Sequence, residues 1–251
     1  MSGTYPNLSN PPIVEVVLDF DCDMPPGISM TALETPAKHA FTGQYPQVQP
    51  RYLQQMRFSS NEGVSNSSVQ SSLQAWVFRQ SDDKQLVQVR QSGFSFNRLA
   101  PYSNFDAYLP EIRRTWDIYR GFAAPLSVRT LRLRYLNLIN LPLEDSGGIE
   151  LENYLTILPT LLESERFVLS GFLSQYTATD RQTGYQVAVT ITPQPRDGNN
   201  LPILFDNTAF ATGQWDAEDW DNIESILRSL RALKNQIFFD TVKESCTNLF
   251  I

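Results

Sequence analysis

The chain has a single histidine, His39, and only two cysteines, Cys22 and Cys246, among 251 residues. That scarcity removes whole classes of chemistry. Any triad with a histidine base must use His39. A zinc site of histidine and cysteine needs ligands that the chain barely holds. No apolar run approaches the roughly 18 residues of a membrane span. The opening Met1-Ser-Gly-Thr-Tyr-Pro6 has no basic stretch leading into an apolar one, so no secretion signal is expected. The two cysteines are then read as reduced thiols of a cytoplasmic protein. Glycine-rich phosphate loops, a dinucleotide fingerprint, His-Glu-x-x-His and Gly-x-Ser-x-Gly are all missing. The chain leans away from enzymes, and nothing in it calls for a cofactor.

What is present fits a globular protein. A hydrophobic fraction of 41% with 12% aromatic residues can build a large core. One domain over residues 1–251 is expected. The net charge of −7 repels duplex nucleic acid unless basic residues are concentrated. The local basic run is Arg129, Arg132 and Arg134. Arg132 and Arg134 share one strand face, a patch better suited to pairing with acidic side chains than to tracking phosphates. Direct binding of duplex nucleic acid is therefore not expected.

Periodicity outlines the elements. Asn10-Pro-Pro12 ends an extended lead-in, because proline lacks an N–H and restricts its predecessor. Ile13–Phe20 alternates as a strand, with Val14, Val16, Leu18 and Phe20 on its apolar face. A short helix is weakly indicated near Ser29–His39. The serine-rich stretch 59–72 reads as a polar loop or irregular edge between strands near Tyr52–Phe58 and Leu73–Arg79. Leu73–Arg79 and Leu86–Phe96 read as a hairpin, with Gly93 marking a bulge. Phe105, Leu109, Ile112, Trp116 and Tyr119 form a helical stripe over 104–120, interrupted by Pro110 and stopped by Gly121. Residues 127–141 return to extended structure; Leu136 and Leu138 shift the phase, through a bulge or burial on both faces. A short helix is expected over Leu151–Leu158, closed by Pro159. Strands follow over Phe167–Thr177, Tyr185–Pro193 and Leu201–Phe210. A long helix comes last, capped by Asp219, with Ile223, Ile226, Leu227, Leu230, Leu233 and Ile237 as its stripe. A capping box at Thr241–Glu244 restarts a short final helix.

The element order repeats. Strand, irregular or helical link, hairpin with further strand, then amphipathic helix occupy 13–121 and again 127–248. The expected fold is α+β: pseudo-duplicated β-rich halves in a mostly antiparallel curved sheet, each half closed by a long amphipathic helix.

Four segments carry a resemblance. They are Asn10-Pro-Pro-Ile-Val-Glu15, Phe96-Asn-Arg-Leu-Ala-Pro-Tyr102, Leu133-Arg-Tyr-Leu-Asn-Leu-Ile139 and Lys234-Asn-Gln-Ile-Phe-Phe-Asp-Thr-Val242. As a set, over nearly the whole chain, they resemble a sporadically distributed prokaryotic family of uncharacterised proteins of about this length. The resemblance implies a cytoplasmic, horizontally mobile protein, a scatter common among defence and toxin–antitoxin genes. It supplies no catalytic residue. Its polar part falls on Asn10, Glu15, Asn97, Arg98, Tyr102, Arg134 and Asn137.

Three constellations carry candidate chemistry. Asp19, Asp21 and Asp23 share a strand face with Glu15 and could bind a divalent cation, or simply keep a strand end solvated. His39 could act as a lone general base, but has no carboxylate near it in sequence and reads as a surface residue. Glu15, Arg98, Tyr102, Arg134 and Asn137 could line a ligand pocket in which arginine grips an anion or nucleotide. The bland alternative is an ion pair of Glu15 with Arg98 or Arg134 that sets strand register. Trp76, Phe94, Phe96, Trp116 and Tyr119 are core.

The leading functional expectation is a non-enzymatic partner-binding or regulatory component of a prokaryotic defence or toxin–antitoxin-type module. Its protein partner would be encoded nearby, and an acidic surface could cap a basic one. A small-molecule-binding domain for an anion or nucleotide is the alternative, then a metal-dependent hydrolase or nuclease on Asp19, Asp21 and Asp23. A homo-oligomer is compatible with all three.

Overall fold

The computed structural model describes residues 5–6, 8–61, 64–145, 147–158 and 171–251; the side chains of 56–68 lie outside that description. The fold is α+β. Its strands are β1 (Ile13–Asp23), β2 (Gln47–Asn61), β3 (Val64–Arg79), β4 (Gln85–Arg90), β5 (Gly93–Leu99), β6 (Ser127–Pro142), β7 (Ser174–Thr179), β8 (Gln186–Pro193) and β9 (Asn200–Trp215). They form one sheet in the order β2-β3-β4-β5-β1-β6-β9-β8-β7, and every neighbouring pair is antiparallel. The helices are α1 (Met30–Phe41), α2 (Phe105–Ala123), α3 (Trp220–Thr241) and the short α4 (Glu244–Thr247). Among the described residues, no helix is long and apolar enough to cross a membrane.

The first three helices start at side-chain caps. Ser29 Oγ accepts from Ala32 N–H at 3.2 Å, Asn104 Oδ1 from Ala107 N–H at 2.8 Å, and Asp219 Oδ1 from Asn222 N–H at 3.1 Å. Each bond satisfies a donor that the helix itself cannot. All three helices lie against one face of the sheet, and strand parity selects that face. Val16, Leu18, Phe20 and Cys22 of β1 point into the core, as do Leu131, Leu133 and Tyr135 of β6. Phe20 stacks on Trp116 of α2 at 4.4 Å between ring centroids. Phe41 of α1 meets Phe78 and Phe94. Phe238 of α3 stacks on Phe205 of β9 at 5.6 Å. Cys22 and Cys246 are free and buried in separate apolar clusters. Burial pushes both thiols up to about 12, with Asp21 adding to the effect at Cys22.

Several local expectations need correction. Of the two readings of the serine-rich stretch, the loop fails and the edge holds: β2, the edge strand of the sheet, and β3 run through it and pair from Gln47↔Arg79 to Asn61↔Val64. Serine is a poor strand former, but backbone hydrogen bonds close a ladder without help from the side chains. Leu86–Phe96 is two strands, turning at Gln91-Ser92. Gly121 does not stop α2, which runs to Ala123 and ends on the left-handed Ala124. Pro110 lies inside α2 without ending it. Only a single 3-10 turn, Leu151–Asn153, stands where a helix over 151–158 was expected. No side-chain cap bond forms at Lys243, which begins α4, so the capping box does not close. The phase shift at Leu136 and Leu138 reflects two-sided burial: both are part-buried on the helix-free face, while Tyr135, Asn137 and Ile139 are buried on the other. Residues 159–170, with Pro159 and part of the expected 167–177 strand, lie outside the described residues.

Gly93 is needed for close approach rather than for a bulge. It pairs in register with Asp21 and Arg90, at φ +152°. A Cβ there would sit 1.9 Å from the Phe20 carbonyl oxygen of the neighbouring strand. Gly93→Ala is expected to cost about 3 kcal/mol, combining backbone strain with a forced separation of β1 and β5. Urea denaturation measures this, and a loss below about 1 kcal/mol, the ordinary size of a point-mutant effect, would contradict it.

Candidate functional site

Strand parity divides the five residues first considered for a pocket. Glu15 and Arg134 lie on the helix-free face. Arg98, Tyr102 and Asn137 lie on the helix side. The sheet separates the two sets, so they do not form one cavity.

The helix-free face is a lattice of paired charges. Arg134 grips Asp206 of β9 with two bonds, Nε–Oδ1 at 2.8 Å and Nη2–Oδ2 at 2.6 Å. Glu15 accepts from Asn97 Nδ2 at 2.6 Å; its partner is neither Arg98 nor Arg134. Asp19 and Asp21 both face Arg90, at 3.3 and 3.1 Å. Asp21 also meets Arg132 at 3.2 Å, and Asp23 meets Arg129 at 3.0 Å. The aspartates at 19, 21 and 23 are thus each paired with arginine along β1, Asp19 and Asp21 sharing Arg90. Among the described residues, no group of three or more histidine, cysteine or carboxylate side chains is placed to hold a metal ion. His39 is exposed in the last turn of α1.

The helix side holds a different arrangement. Arg98 lies over the ring of Tyr108, 4.9 Å from its centroid. Tyr108 packs on Tyr102 at 5.6 Å, and Tyr102 meets Tyr135 edge-on at 5.6 Å. The Tyr102 and Tyr135 hydroxyls are 2.9 Å apart. Above the Tyr135 ring stands Lys234 of α3, its Nζ 3.6 Å from the centroid. Lys234 is 7% exposed, and among the described residues its ammonium has no carboxylate and no hydrogen-bond partner. Asn207 of β9 fastens this turn of α3 to the sheet, donating from Nδ2 to the Lys234 carbonyl at 2.9 Å. Asn207 Oδ1 is buried without a partner. Asn137 Nδ2 donates to the Phe205 carbonyl at 3.0 Å.

Tyr102, Tyr135, Asn137 and Lys234 border a cavity of about 370 Å³ between α3, the start of α2 and the N-terminal segment; Arg98, expected in the pocket, is not part of its lining. Tyr5 stacks on Phe239 at 4.5 Å along one side, and the Asn10 N–H bonds to the Phe250 carbonyl at 2.9 Å. Tyr102, Asn104, Tyr135, Asn137, Arg231 and Lys234 are among its polar lining, with Ser103 and Asn235. No described carboxylate lines it. Arg231 gives one guanidinium N–H to Asp106, at 2.8 Å, and shares that carboxylate with Arg228. Two larger clefts are weaker candidates. In one, of about 810 Å³, Arg90, Arg129 and Asp23 are already ion-paired and Arg51 donates to Gln88. The other, of about 620 Å³, has no titratable group except Arg196 among the described residues of its lining.

Burial, and next the charge of Arg231, push Lys234 down from 10.5 to about 7. The Tyr135 ring opposes this, since its negative face attracts the ammonium; desolvation is the larger effect because no anion faces the amine. Burial pushes the Tyr135 hydroxyl up to about 12, and burial with the Tyr135 contact pushes Tyr102 up. Both tyrosines stay protonated at neutral pH and can donate hydrogen bonds.

Lys234 was hidden by the amphipathic pattern of α3. The sequence pattern runs through Leu233 and Ile237, yet the buried positions after Leu230 are Lys234, Phe238 and Thr241. A lysine four residues beyond a core leucine was the available signal. The chain matches no known family model, and no curated protein matches it.

The depressed lysine makes stability depend on pH. Above pH ~7 the folded chain has shed a proton that the unfolded lysine keeps until about 10.4. Stability therefore rises with pH across that window, and below it the burial penalty is fully present. Lys234→Met is expected to melt higher than the wild type at pH 6, with the gap closing towards pH 10. A gap independent of pH would overturn this account of Lys234.

Proposed function

We propose that this protein binds a small anionic ligand in the cavity beneath α3. The observation that carries the reading is Lys234: a buried amine with no counter-charge among the described residues, lining a cavity whose other described charged group, Arg231, is also a cation. A buried unpaired cation is costly, and a bound anion would relieve that cost. The volume sits at the low end of the ~300–1,000 Å³ of small-molecule sites, which favours a compact carboxylate or phosphate over a full nucleotide. Tyr102, Tyr135 and Asn104 would orient the ligand. Thermal-shift measurements with oxalate, inorganic phosphate and small dicarboxylates test the reading. A ligand at 100 times its Kd adds about 2.7 kcal/mol, a shift of several degrees at this size. The shift at the same ligand concentration is expected to fall to about half in Arg231→Gln, as a tenfold weaker Kd requires. No shift with any of these anions would overturn the reading.

A second reading, a protein-partner component of a prokaryotic defence or toxin–antitoxin-type module, rests on the β2–β3 ribbon. Beyond Ala75, β3 pairs only with β2, and two strands alone are marginal in water. Tyr52, Leu53 and Val69 are exposed there, at 57%, 43% and 60%. Co-purification with the products of adjacent genes is expected to fail for the triple variant Tyr52→Ser, Leu53→Ser, Val69→Ser. Undiminished co-purification would remove the ribbon from the interface.

The resemblance to the sporadically distributed prokaryotic family, and a cytoplasmic setting, belong to this same proposal. So does descent from two half-units within one domain, 13–121 and 127–248. Three observations support that descent. β1 neighbours β5, β6 neighbours β9, and β1 lies antiparallel to β6 at the middle of the sheet.

A further inference from the structure

We infer that the cavity takes a carbonyl compound bearing an acid group, such as a 2-oxo acid or an aldehyde acid, and that Lys234 Nζ condenses with its carbonyl carbon. This rests on the anion-pocket reading and goes beyond it by naming a covalent step. The geometry supplies three parts. Lys234 is the buried lysine of the chain; Lys38 pairs with Glu34, Lys243 donates to the Glu152 carbonyl, and Lys84 is exposed. Arg231, one helical turn before Lys234, holds a guanidinium fork only partly engaged by Asp106. The Tyr102–Tyr135 hydroxyl pair forms part of the same lining.

Lysine is a nucleophile only as the free amine. Desolvation and a neighbouring cation are the two ways proteins obtain it, and Lys234 has both. With burial and Arg231 drawing it down to about 7, a large fraction is neutral at physiological pH. The nitrogen lone pair forms the N–C bond while the carbonyl π pair moves onto oxygen, which takes a proton from a tyrosine hydroxyl. The adduct's nitrogen returns one proton to the tyrosine, which hands it to the departing hydroxyl; water leaves as the nitrogen lone pair forms C=N, and the iminium's remaining N–H proton goes back to the tyrosine. An imine remains. The balance is amine plus carbonyl giving imine plus water, with no oxidant or reductant. The tyrosine pair recovers its proton from the one released by nitrogen.

The test uses the full chain with glyoxylate or pyruvate and cyanoborohydride, which reduces the imine to a stable secondary amine. Intact mass and peptide mapping are expected to find one adduct per chain, on Lys234. Excess oxalate, an anion without a reactive carbonyl, is expected to suppress it. Arg231→Gln should slow labelling by glyoxylate about tenfold more than it slows labelling by propanal, the worth of one charge-assisted hydrogen bond to the acid group. Labelling of Lys38, Lys84 and Lys243 at the rate of Lys234 would overturn the inference. So would a thermal shift with oxalate but no adduct on Lys234, which leaves the anion pocket standing. Absence of both would overturn the two readings together. Because the adduct forms on the wild-type chain, the decision does not depend on whether a Lys234 variant folds.

Discussion

The antiparallel pairing of β1 with β6 is the constraint on which the rest of the structure depends. These two strands are the central seam of the sheet, and their register runs from Ile13↔Asn137 to Asp23↔Ser127. Because side chains alternate across a strand, that register assigns every residue of the seam to one of two faces. Phe20 and Leu131 face the helices together, and Asp21 and Arg132 face away together. A slip by one residue would bury the aspartates against Trp116 and expose the aromatic core. The cross-strand pairs on the open face oppose such a slip, since each joins opposite charges only in the native register.

The two faces have treated their charges in opposite ways. On the open face, each of the β1 aspartates and Arg134 has an opposite charge within ion-pair distance. Such part-exposed pairs add little stability singly, but they leave no strong field for a ligand to answer. On the helix side, Lys234 is buried against an aromatic ring with no anion near it among the described residues. Uncompensated charge in a low-dielectric cavity is unfavourable, and such groups concentrate where a ligand completes the site. This contrast, rather than the size of the clefts, singles out the cavity beneath α3.

Much of the architecture was legible along the chain. The β1 alternation, the stripe of α2 and the capping Asp219 all took their expected roles, because each rests on local periodicity or a local hydrogen bond. The loop reading of the serine-rich stretch misled, since its strands are held by backbone pairing that composition does not reveal. Tyr102 and Asn137 belonged to the cavity as considered, whereas Glu15 and Arg134 belong to the other face. Parity within β6 already put Arg134 and Asn137 on opposite sides, three residues apart.

By itself the sequence determined the class of fold, the amphipathic helices and the poverty of histidine and cysteine chemistry, because composition and short-range periodicity are properties of the chain. Only the tertiary structure decided which of two overlapping stripes of α3 turns inward after Leu230. Leu233 and Ile237 are the more apolar choice, but Lys234 and Phe238 meet the rings of Tyr135 and Phe205. That outcome depends on where β6 and β9 stand beneath the helix, a long-range fact with no local trace. The same packing closes the N-terminal segment and Tyr102 around the amine, and so turns an ordinary helical lysine into the centre of the candidate site.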